Sequence, residues 1–271
     1  MVRNIKNNYG LDDIFSHSWE VFTKNFGLLM LAGLVIYLPI NLLFSIVPTY
    51  WSEMGGMYQL YYQLATAVQG LLSFIAVLAI IHIAFSKITA KKVSFGSAIG
   101  MGFKRLFPGI LTYIVEAIII GLIVGIPIVL TTLYFMFAIF QPIALFIIIG
   151  ILLVLVCIAA LLLAIKIGVQ WIFAYYSVVI DKTFAFKALR NSADAIKGRW
   201  WKVFGITLLL GLLSGAITMP FGIALAFFDY YVVKVFILTL TQLISIYFLV
   251  AYTVFFVNLY NTKKLVKKTK K

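Results

Sequence analysis

The sequence predicts an all-α polytopic membrane protein of six transmembrane helices, on three observations. Of its 271 residues, 64% are hydrophobic and only 11% are charged. The apolar residues gather into long runs without charge, and the basic residues gather in alternate gaps between those runs. A soluble domain carries roughly a quarter charged residues. At 11% a water-facing surface cannot be covered. Hydrocarbon is therefore the solvent, and the whole chain, 1–271, reads as one membrane domain.

The spans follow in order. Residues 27–52 carry no charge and Pro48 closes their most apolar part, so span one is placed at 27–47. Glu53 and the polar stretch to Gln63 read as a loop, and span two runs over 66–86, up to Lys87. Span three, 106–133, opens after Lys104 and Arg105. From Ala117 to Ile165 there is no charge at all. At ~1.5 Å per residue that run exceeds ~70 Å, more than twice a hydrocarbon core of ~30 Å, so it must turn back. Gln141-Pro142 is the best local breaker, with the turn between Thr132 and Pro142. Span four, 143–180, is longer than a bilayer needs, so it tilts, breaks near Gly168 or projects beyond the membrane. Span five is 203–228, Asp229-Tyr230-Tyr231 makes a short turn, and span six is 232–260.

All but two of the 22 Lys and Arg fall at the N-terminus, in the loops after spans two and four, and in the tail. Lys234 lies on the opposite side and Lys166 inside span four. By the positive-inside rule this places both termini in the cytoplasm of a plasma-membrane protein. Five or seven spans would put the lysine tail on the wrong side. Met1 to Asn25 contains Asp12, Asp13 and Glu20 and no apolar run, so it reads as neither signal nor transit peptide. The net charge of +14 does not point to nucleic acid, because the basic residues alternate with spans instead of forming one basic face. Anionic lipid headgroups are the expected partner. Candidate contacts are Lys104, Arg105, Lys197, Arg199, Lys202, Lys263, Lys264, Lys267, Lys268, Lys270 and Lys271.

The segment before each odd-numbered span reads as an amphipathic helix. The apolar stripes are Phe15, Trp19, Phe22 and Phe26; Phe95, Ala98, Ile99, Phe103 and Leu106; and Phe186, Leu189, Ala193, Ile196 and Trp200. Each ends in basic and aromatic residues: Lys24-Asn25-Phe26, Lys104-Arg105-Leu106-Phe107 and Arg199-Trp200-Trp201-Lys202. Phe22, Phe103 and Ile196 are matching positions. Three copies of one unit are expected, each an interfacial helix followed by a helical hairpin. Lys and Arg snorkel to the headgroups in such a helix, with aromatic rings at the interface.

Val179-Ile180-Asp181, Ala188-Leu189-Arg190-Asn191-Ser192 and Ile196-Lys197-Gly198-Arg199-Trp200-Trp201 resemble a signature of one family. It is the glycerophosphoryl diester phosphodiesterase membrane domain with its YciC-like relatives. Ser18-Trp19 and Lys24-Asn25-Phe26 resemble the same family's opening. The resemblance implies a six-helix membrane module, in some members fused to a soluble phosphodiesterase barrel. No segment here reads as that barrel, so the activity is not carried over. The second unit departs from the pattern, having neither Gly nor Trp in Lys104-Arg105-Leu106-Phe107.

Chemistry is sought first at intramembrane charges. Counted along the helices, Glu116 lies ~16 Å from Arg105 and Lys166 ~21 Å from Ile180. Both distances start at the same side, so the two are expected to face one another as an ion pair. His17 and His82 have no second ligand at a metal-binding spacing. Asp12-Asp13 reads as a helix N-terminal signal. Cys157 is a lone apolar-core cysteine that permits neither an intrachain disulfide nor a cysteine metal site. No HExxH, Walker A loop or GxSxG elbow is present, so no enzyme, cofactor or metal is expected. The Gly121/Gly125 and Gly211/Gly215 pairs suit close helix packing, expected within the chain rather than between copies. Thr239, Thr241, Gln242 and Ser245 either line a cavity or bond between helices. The expectation is a non-catalytic membrane module contacting anionic lipid, with room for a protein partner. The alternative is a small-solute or lipid transporter or channel that uses Glu116 and Lys166.

Overall fold

The protein's structure, a computed structural model, describes residues 10–46, 53–137, 142–228 and 230–269, except the side chains of Ala226 and 261–269. These residues form helices and connections, with no strand among them. The elements are α1 (Leu11–Lys24), α2 (Phe26–Phe44), α3 (Gly56–Ile88), α4 (Phe95–Phe137), α5 (Ile143–Trp171), α6 (Ala174–Ile180), α7 (Ala185–Ile196), α8 (Trp200–Phe227) and α9 (Tyr231–Thr269). Six segments are long and apolar enough to cross a membrane: α2, α3, α4, α5 with α6, α8 and α9.

Two spans are longer than their sequence signals. Helix α3 opens at Gly56, because Met, Gln, Leu and Ala between Met57 and Ala65 are good helix formers even where polar. Helix α4 is continuous from Phe95, so the second amphipathic segment is not a separate helix. Helices α4 and α5 pack on one another as a hairpin with Pro142 as the N-cap of α5, and the part of the expected turn at 138–141 lies outside the described residues. The Tyr134 hydroxyl donates to the Phe146 carbonyl at 3.1 Å, and Thr131 Oγ1 lies 3.2 Å from Cys157 Sγ.

Span four breaks at Ile172-Phe173, about a turn beyond Gly168. A break exposes main-chain groups that need partners away from water. Ser192 of α7 supplies both: its Oγ donates to the Gln170 carbonyl at 2.7 Å and accepts from the Phe173 amide at 3.2 Å. Gly198, at φ +81, then turns the chain from α7 into α8, in a backbone region where only glycine avoids a Cβ clash.

The core gathers at one end of the bundle. Ile14 of α1, Ile81 of α3, Phe173 and Val179 at the break and α6, Ile196 of α7, Val203 of α8 and Phe255, Phe256 and Leu259 of α9 form one buried cluster. Helix α1 packs on α9 and α3, so the first helix is seated by the last. Its buried face is Ile14, Ser18 and Val21, one position off the predicted stripe. Phe15 and Phe22 are only partly buried, and Trp19 and Phe26 are 60% and 52% exposed. Side-chain size decides this: the short residues fit against the facing helices, while the Trp19 and Phe22 rings pack beside Tyr247 at 6.0 and 5.5 Å. In α4, Phe103 is exposed and Ala98 and Gly102 are buried; in α7, Phe186 is exposed and Leu189 and Ile196 are buried.

Close approach falls at glycines other than those in the two GxxxG pairs. A Cβ on Gly102 would lie 2.7 Å from the Ile75 carbonyl oxygen, and one on Gly109 would lie 2.6 Å from the Phe74 ring. Gly33 meets Ile246 and Leu243 in the same way across α2 and α9. A Cβ on Gly121, Gly125, Gly211 or Gly215 would meet open space, so these four make no close packing within the chain.

Candidate functional site

Helix pairing sets the ends of the spans. Because α1, the C-terminal ends of α3, α6 and α9, α7 and the start of α8 share one core, their basic residues ring one end of the bundle. Lys24, Lys91, Lys92, Lys104, Lys182, Lys187, Arg190, Lys197 and Lys202 are exposed there, while Arg105 and Arg199 are half-buried. Arg105 Nε has no hydrogen-bond partner. The side chains of Lys263, Lys264, Lys267 and Lys268, and the whole of Lys270 and Lys271, lie outside the described residues. Glu20 pairs with Lys24 at 2.7 Å and His17 at 3.7 Å. The Lys24 ammonium holds the Glu20 carboxyl below the usual carboxylate range. Asp13 accepts from the Gly10 amide at 3.1 Å, and with Asp12 it occupies the first turn of α1, as a helix-start signal should.

The segment that carries the family resemblance folds onto itself at this end. Asn191 Nδ2 reaches Asp181 Oδ2 and Thr183 Oγ1, each at 3.4 Å. The Tyr260 hydroxyl bonds to Asp181 as well. Asp181, Asn191 and Ser192 therefore tie α6, α7 and α9 together, a structural use of those polar residues.

The predicted ion pair is not formed. Glu116 is half-buried and accepts from the Tyr175 hydroxyl at 3.4 Å, and Lys166 is exposed on α5. The Lys166 carbonyl accepts from Trp200 Nε1 at 3.1 Å, which sets Lys166 level with the start of α8. Thr112, about one turn before Glu116, accepts from the Ala185 amide at the start of α7. Lys166 therefore lies closer to the start of α8 than its residue count from Ile180 gave, because the helix breaks after Trp171, and Glu116 lies about one turn from the level at which α7 begins. Glu116 meets Tyr175 of α6, beyond the break, while Lys166 lies before it on α5. Glu116→Gln and Lys166→Met are expected to have independent costs, adding within about 0.5 kcal/mol in a double-mutant cycle on thermal stability. A larger coupling would restore the pair. Glu116→Gln with Tyr175→Phe, by contrast, is expected to couple.

A second polar seam joins part of the span-six cluster to Asn41, which the sequence did not single out. Asn41 of α2, 1% exposed, donates to Thr239 Oγ1 at 2.9 Å and Gln242 Oε1 at 2.7 Å in α9. Its Oδ1 is buried without a partner. Thr241 and Ser245 turn away and bond to carbonyls of their own helix. The span-six cluster thus bonds partly between helices and partly within one. Among the described residues no group of three or more His, Cys, Asp or Glu is placed to hold a metal ion.

Comparison with protein-family models, with curated proteins and with solved structures found no match to this chain.

Proposed function

We propose that the chain is a non-catalytic integral membrane module that holds anionic lipid at the basic end of its bundle. One observation carries this reading: exposed Lys and Arg from α1, α4, α7, α8 and the connections beside them ring a single end, above a well-packed core. A lysine near an anionic surface contributes ~1 kcal/mol, so a ring of them selects anionic headgroups strongly. On this reading the ring faces the cytoplasmic leaflet of the plasma membrane, and both termini lie on that side.

A threefold repeat is part of the proposal. Ile14, Ser18 and Val21 in α1 and Ala188, Ser192 and Ala195 in α7 are buried at the same spacing, each set centred on a serine. Gly102 of α4 holds the place of Val21. This supports three related units, the middle one with its first helix fused to its span. It also supports kinship with the membrane-domain family that the sequence resembles.

The test uses protein reconstituted in phosphatidylcholine bilayers with a minor share of phosphatidylglycerol, the retained lipid being read by native mass spectrometry. Wild type is expected to retain phosphatidylglycerol preferentially. Exchanging Lys104, Lys197 and Lys202 together for Gln is expected to lower that preference at least about tenfold, from ~1 kcal/mol per lysine. An unchanged preference sinks the lipid reading. Proteoliposomes that pass small solutes faster than empty vesicles would favour the transporter alternative.

A further inference from the structure

At the end of the bundle opposite the basic ring, a cavity of about 230 Å³ opens between the end of α2, the first half of α3 and the start of α9. Phe44, Ser45, Tyr62, Thr66, Gln69 and Lys234 line it. Lys234 is the cation that the one-sided charge pattern leaves unexplained. A charged side chain at this level is costly unless it is paired or reaches a polar cavity. Among the described residues no carboxylate lines the cavity. The Ser45 hydroxyl is buried there without a partner, and such a group costs free energy until something accepts or donates to it. Among the described residues, one ammonium, three hydroxyls, one amide and no acid make a lining that suits an oxyanion.

Depth and size narrow the ligand. Tyr58, Tyr61, Tyr230 and Tyr231 are exposed around this end, as an aromatic belt at headgroup level is. The cavity is smaller than the ~300–1,000 Å³ of drug-sized sites. It therefore suits a compact head whose apolar remainder leaves along Phe44 into the lipid. We propose that this cavity is a binding site for a phosphate group, supplied by the headgroup of a phospholipid in the leaflet opposite the basic ring, with Lys234 and Ser45 as its principal contacts. It is a separate site from that ring and does not rest on the function proposed above.

The experiment reads Lys234 directly by reductive methylation and peptide mass spectrometry, with the full-length protein in maltoside micelles that carry no phosphate. Phosphatidylglycerol is expected to slow Lys234 methylation about fivefold, the factor that ~1 kcal/mol of lysine–headgroup contact gives. Diacylglycerol, which has the same tails and no phosphate, is expected to leave the rate unchanged. Ser45→Ala, a small change that leaves the helices intact, is expected to weaken the protection. If inorganic phosphate protects as well as the lipid does, the phosphate site stands and its source is the free anion. Equal rates with phosphatidylglycerol and diacylglycerol overturn the proposal. So does slow methylation without lipid that Asp229→Asn releases, since Lys234 would then be paired within the chain.

Discussion

Replacing Gly102 by leucine is expected to destabilise the protein by about 2–3 kcal/mol, in the upper range for overpacking a close contact. The atom in the way is the Ile75 carbonyl oxygen, 2.7 Å from where even a Cβ would stand. It is backbone, held within α3, and it cannot swing aside as a side-chain tip can. The helices must separate, and without water between them the packing that holds α3 to α4 is mostly close van der Waals contact. Gly121→Leu, in the same helix, is the matched control: its Cβ meets open space and its cost should stay within about 0.5 kcal/mol. Reversible unfolding in mixed micelles measures both. Equal costs would mean that α3 and α4 are not in contact at Gly102.

Phe173→Ala carries a still larger expected cost, about 3–5 kcal/mol. The ring is fully buried, and its neighbours are Tyr176, Phe255 and Phe256 at centroid distances of 5.5, 5.6 and 5.3 Å. It fills the space opened where α5 breaks, so its removal leaves a cavity walled by two helices that cannot both collapse inward. The Phe173 amide keeps its bond to Ser192 in the variant, which separates packing from hydrogen bonding. Ser192→Val does the reverse: it strands the Gln170 carbonyl and the Phe173 amide, at about 1–3 kcal/mol. A Phe173→Ala cost below about 1 kcal/mol would mean that the break is not packed as described.

Features that depend on composition were legible in the residues. Six spans, the return of the Ala117–Ile165 run and the collection of basic segments at one end all follow from lengths and charges, which no packing detail alters. Features that depend on rotation about a helix axis were not. The aromatic stripe of α1 misses the buried face by one residue, because hydrophobicity ranks Trp19 above Ser18 whereas the space between α1 and its neighbours admits only the smaller. Glu116 and Lys166 share a sequence rationale but not a contact, since Glu116 meets Tyr175 instead, and the break at Ile172-Phe173 falls about a turn past the Gly168 that the sequence offered for it. Of the glycines, only the arrangement of facing helices distinguishes Gly102 from Gly121. Asn41 sits in a run without charge, so its bonds to α9 show only when the two helices are set side by side.

The seating of the first helix by the last has a consequence for biosynthesis. Ile14 shares its buried cluster with Phe255 and Phe256 of α9, residues that leave the ribosome long after α1. At about 5–20 residues per second, roughly 10–50 s pass between their emergence from the ribosome. Throughout that interval α1 has no finished seat, and its apolar face rests on the bilayer surface as any amphipathic segment does. Arrival of α9 draws it in, so a nascent chain arrested before span six carries its opening helix still undocked.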